Sequence, residues 1–207
     1  MAAVAVFCFL AASASPGAAL FAAADAAGAV AARVAALDLG FGRYVLGVPL
    51  TPEQWDSAQQ KLFATSYPGT VRFPAGDGEL VVVAEAAPPH RVLAIYQRRE
   101  DADRSALRRT VASLMDRFGE PTTVAHDRMI YWAYDNAGKI SQERLEAVRR
   151  GEATISVLAT VKLHTDLPLG GQRPAAGPEK ETSDKAQSGA VYFILSSPVL
   201  SGQMVRR

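Results

Sequence analysis

The chain has 207 residues, of which 49% are hydrophobic and 21% charged, with 22 Lys and Arg against 21 Asp and Glu. That length suits one domain of ordinary size, and a net charge of +1 excludes a global electrostatic pull toward nucleic acid or anionic membrane. The single cysteine, Cys8, excludes an intramolecular disulfide and leaves the folded part without thiolate chemistry.

Residues 1–24 carry no charged side chain. Val4–Leu10 (VAVFCFL) is a short apolar core, and small residues follow through Ala24, with A-x-A-like sites at Ala12–Ala14, Gly17–Ala19 and Ala22–Ala24. This is the pattern of a secretory signal, although the usual basic leader is missing. Phe7 before Cys8 argues against lipoprotein processing. The expectation is a periplasmic or secreted protein that begins near Asp25 and has no integral membrane span in its mature chain. Residues 25–42 form an Ala-rich lead-in, either a short helix or disordered.

A single domain is expected over 43–199. Tyr44–Leu50 is a short apolar run, and Thr51–Gln54 opens a helix: Thr51 suits the N-cap, Pro52 the first turn, and Gln54 completes a capping box. Trp55, Ala58 and Leu62 share a face, and Tyr67–Pro68–Gly69 is the expected stop. The Val45–Glu53 stretch (VLGVPLTPE) is similar to the openings of small secreted helix-plus-sheet modules, such as outer-membrane assembly lipoproteins and β-lactamase-inhibitor-like proteins. The likeness spans those few residues and implies no functional position. Strands are expected at Val71–Phe73 and Leu80–Ala84, around a loop containing Asp77–Gly78. A third follows Pro88–Pro89, near Arg91–Arg98.

The strongest helix runs from about Asp103 to Phe118. Leu107, Val111, Leu114, Met115 and Phe118 make one apolar stripe, Asp101 or Asp103 can cap the start, and Gly119 and Pro121 end it. Ile130, Trp132 and Tyr134 then alternate with Tyr131 and Ala133 in a strand at Met129–Asp135. Asp135–Gly138 turns the chain, and Ser141 caps a short helix to Arg150. Over 154–163, Ile155, Val157, Ala159, Val161 and Leu163 point one way, and Lys162 and His164 the other. Residues 165–189 read as a mobile loop, Val191–Leu195 as a strand antiparallel to 154–163, and 200–207 as a basic-ended tail.

The resulting fold class is α+β: a mostly antiparallel sheet of about six strands with two to three helices packed on one face. The order helix, strands, helix, strands also hints at two similar units, without a residue-level repeat.

Motifs for chemistry are missing. His90, His126 and His164 lie far apart in sequence, so no metal site, cofactor site or catalytic residue is assigned. His126 and Asp127 would point apart on a strand. There is no G-x-S-x-G elbow. Gly76–Asp77–Gly78 precedes a strand instead of a helix, which makes it a hairpin turn and not a phosphate cradle. The Asp135–Ile140 stretch fails as a calcium loop, because the frame set by Gly138 puts Arg144 where a bidentate acid is needed. What is left is an arginine cluster, Arg98, Arg99, Arg104, Arg108 and Arg109, expected to converge where strand meets helix and able to grip an acidic partner. Tyr131 joins it as an interaction residue, from a set of aromatics (Trp55, Tyr96, Tyr131, Trp132, Tyr134) that would line either a groove or the core. The functional expectation is an exported, non-enzymatic binding module for an envelope protein, acting through a sheet face, its aromatics or the 165–189 loop. The alternative is a small-ligand binder or enzyme with a site assembled from Glu53, His126 and Tyr131.

Overall fold

The computed structural model describes residues 27–64, 67–76, 80–169 and 188–205, with side chains to 202. The signal-like segment 1–24 and Cys8 lie outside the described residues. The first half of the chain comprises α1 (27–35), β1 (Gly40–Phe41), β2 (Tyr44–Val45), α2 (Pro52–Gln59), β3 (Thr70–Ala75), β4 (Leu80–Glu85) and β5 (Val92–Ala102). The second comprises α3 (Arg104–Phe118), β6 (Thr123–Ala125), β7 (Met129–Asp135), β8 (Gly138–Lys139), α4 (Gln142–Arg149), β9 (Ala159–Thr165), β10 (Gly189–Ser196) and α5 (Pro198–Val205).

Helix α3 forms where its periodicity and caps agree. The Asp103 carboxylate accepts the Ala106 amide at 2.7 Å, and Leu107, Leu114 and Phe118 are buried. Val111 is only partly buried and Met115 sits at the rim of the stripe, 36% exposed. Gly119 ends the helix at φ 68, ψ −160. That is outside the left-handed helical region but equally restricted to glycine. The last carbonyls are met by the sheet: the Trp132 indole donates to Gly119 O at 2.8 Å and the Lys139 ammonium to Phe118 O at 3.2 Å.

Eight strands form one sheet in the order β3-β4-β5-β10-β9-β7-β6, with β8 beside β7, and every pair is antiparallel. An α+β fold with a mostly antiparallel sheet is therefore present. Each run of sheet strands follows a helix, α2 or α3, and ends on a central strand, so β5 and β10 join the two meanders edge to edge. The register places Phe73, Val82, Ile95, Leu195, Val161 and Trp132 in one row across six strands. All six are buried. Side chains from α1 (Ala31, Val34), α2 (Ala58), α3 and α5 (Leu200) join the same core, whereas α4 buries none of its residues.

Several boundaries differ from expectation. The sheet has two more strands than the pattern shows, because β6 and β8 are short pieces that flank β7 end to end. Among the described residues there are five helices. The Ala-rich lead-in supplies one, since Ala31 and Val34 find apolar cover that their sequence neighbours do not. Helix α2 has the expected capping box, but it stops at Gln59. Beyond it Leu62 is exposed, and the Phe63 amide donates to Arg72 O on edge strand β3 at 2.7 Å.

The long alternation over 154–163 becomes a strand only from Ala159. The preceding residues carry the chain back from α4, and the Leu158 amide makes the first tie, to Tyr134 O at 2.8 Å. The expected loop is shorter at its start: Leu167 is buried, and Asp166 exchanges backbone and side-chain bonds with Ala190. The remainder, 170–187, lies outside the described residues. The expected tail instead contributes α5. Ser197 Oγ accepts the Leu200 amide at 3.3 Å and donates to Leu158 O at 2.7 Å, so Ser197–Pro198 is a helix start that the sequence reading passed over.

Candidate binding face

Side chains alternate across a strand, so each neighbour of a core row faces the other way. One register step from the buried row runs a second: Val81, Tyr96, Ile194, Lys162, Tyr131 and Thr123, on six strands. A parallel row carries Arg98, Tyr192, His164, Met129 and Ala125. Apart from the exposed Arg98 and Ile194, the latter at 37%, these residues are half-buried, as on a sheet face that no layer covers.

The aromatics and cations on this face are interleaved. Lys162 Nζ lies 5.4 Å from the Tyr131 ring centroid, and the Arg98 guanidinium 5.3 Å from that of Tyr192. His164 packs on Tyr192 with ring centroids 5.9 Å apart. Neither row contains a carboxylate, although Glu100, farther along β5, pairs with Arg98 at 2.8 Å. Burial holds the Tyr131 phenol above its ordinary pKa, and its hydrogen bond with Thr160 works the other way. Tyr131 is therefore a neutral donor and acceptor, not a base. At one end of the face Ala133 and Thr160 are buried, and Arg144 ties α4 to Asp135 of β7 at 2.5 Å. Such a surface can stack on planar or sugar-like groups and hold an anion.

The predicted arginine cluster does not form one patch. Arg98 is on the open face with Tyr131, while Arg99, the next residue on the strand, turns toward the helix side. There it lines a shallow groove with Arg109, Phe41 and Phe193. Arg104 and Arg108 flank a different groove beside β6. Helical geometry explains the split: positions four apart share a side, whereas Arg109 lies roughly 100° around from Arg108. Among the aromatics, Tyr96 and Tyr131 are on the open face and Trp132 and Tyr134 in the core, and Trp55 stacks on His90 at 3.6 Å.

Ile194, Tyr192, Lys162 and His164 belong to the face and were not named as interaction residues from sequence. Alternation separates 162 and 164 from their apolar neighbours, but only the pairing register puts them beside Tyr131 and Tyr192. The other assembled site does not come together. Glu53 starts the helix packed near β3, at one edge of the sheet, and the exposed His126 sits in the turn after β6 at the opposite edge. Among the described residues no three His, Cys, Asp or Glu side chains group as metal ligands, and no helix is long and apolar enough to cross a membrane.

The class these features define is an α+β protein with a two-faced antiparallel sheet, one face packed under helices and the other an aromatic and cationic surface. Comparison with protein-family models, curated proteins and solved structures finds no significant match to this chain.

Proposed function

We propose that this chain is an exported, non-enzymatic binding module that presents the open face of its sheet to an envelope protein. The observation that carries the reading is the register-aligned row Tyr96–Ile194–Lys162–Tyr131, with Arg98 and Tyr192 beside it. Tyrosine and arginine side chains, which this surface presents around Lys162, are enriched where protein partners meet. The export half rests on the apolar, uncharged residues 1–24.

A photo-crosslinking residue at Ile194, compared in intact cells with one at the exposed Asp56 of α2, tests both halves. The expected result is one dominant envelope protein crosslinked from 194 and not from 56, on a chain whose mature N-terminus lies near Asp25. Lys162→Glu should lower that yield about tenfold, as loss of a central charged contact does. Equal labelling from both positions, or none from 194, removes the binding reading. An intact Met1 removes export.

A further inference from the structure

We propose that the groove between α3 and β6 docks an extended, acidic and apolar segment of a partner protein. The groove has a volume of about 480 Å³, with Leu107, Val111, Met115, Val124 and Ile130 among its apolar lining. Two of these are unusually open for such residues: Met115 is 36% exposed and Val124 54%. Val124 is in register with buried Ile130, so it is a core-facing position at the edge of the sheet where the helix layer stops short.

Charge names the occupant. Arg104 and Arg108 line the same groove, and neither has an ion-pair partner among the described residues. Their position on the helix makes this informative. Arg104 is the first residue of α3, directly after the Asp103 cap, so a cation stands at the end where the backbone dipole disfavours it. The charge adds nothing to the helix at that end, and it matches an incoming carboxylate. Spacing adds a pattern. Residues four apart on a helix are separated by about 6 Å along the axis, and alternate residues of an extended chain by about 6.6 Å. Carboxylates at alternate positions of an extended segment therefore match the two guanidinium groups, and the apolar residues between them meet the groove floor. Asp127 lies in the lining as well.

The probe is a short fluorescein-labelled peptide of alternating Leu and Glu, titrated against the full chain by fluorescence polarisation, with Leu-Lys and Ser-Glu peptides beside it. Only Leu-Glu should bind. Arg104→Glu with Arg108→Glu should weaken it at least about tenfold and make Leu-Lys the preferred ligand, and Val124→Glu should abolish binding. Circular dichroism confirms that each variant is folded. Lys162→Glu on the open face should leave this binding unchanged, which keeps the two surfaces separable. Equal binding of Leu-Glu and Leu-Lys, no binding of Leu-Glu, insensitivity to the double charge reversal, or binding that Lys162→Glu removes would each overturn the proposal.

Discussion

Thr122 adds no charge and little apolar area, yet it holds two parts of the core together. Its fully buried hydroxyl donates to Ile140 O at 2.6 Å and accepts the Ala133 amide at 2.9 Å. Thr122→Val keeps the shape and strands both backbone groups without water. The expected cost is about 2–4 kcal/mol in urea unfolding, with Thr122→Ser recovering most of it. A Val variant as stable as the parent would show that the neighbouring backbone finds other partners. Nothing in Pro121–Thr122–Thr123 signals this role, because both partners are more than ten residues away in the chain. Ser197 is the contrasting case. Its capping bond is local and was readable beside Pro198, whereas its bond to Leu158 spans the two strands between them.

Elements were legible where short-range chemistry closes on itself. The Thr51–Gln54 box, the Asp103 cap and the Ser141 cap all formed as their spacing predicts, with distances of 2.7–3.2 Å. Helix ends were less legible where a distant element takes over the chain, as β3 does at Phe63. Gly119 shows both kinds of information. Its glycine is a local stop signal, but the conformation it adopts delivers its carbonyl to Trp132. A Cβ there would also stand 2.9 Å from Lys139 Nζ, which can move, so the backbone carries most of the penalty. Gly119→Ala should cost about 1–3 kcal/mol by thermal unfolding. Gly28→Ala, in open space on α1, should cost nothing. Equal effects at the two positions would contradict this account.

At the scale of the molecule, the buried row of the sheet places Tyr134 beside Trp132 on the same strand face, and burial pushes its phenol up from 10.0 to about 12. The folded state keeps the proton while the unfolded chain loses it. The contribution is therefore full below pH 10 and is lost as pH rises from there through about 12. Tyr131 is shifted the same way and adds to the alkaline loss. In Tyr134→Phe the alkaline unfolding followed by circular dichroism should begin at higher pH. An onset at the same or lower pH would mean that the phenolate is solvated in the native state.

The sequence by itself determined the α+β class, the position and caps of α3, most strands and the absence of local catalytic motifs. Each of these is encoded within about four residues, by helical or alternating periodicity and by side chains that reach their own backbone. It also contained the arginines of these surfaces, but as one run over 98–109 that the fold distributes over three places. Only the tertiary structure decided that β5 pairs with β10, bringing Ile95 to Leu195 and Tyr96 to Ile194. That register joins residues far apart in the chain, and no local preference selects it. It depends on which apolar faces can be buried together, and the same choice leaves Tyr131, Lys162 and Ile194 on the face that stays open.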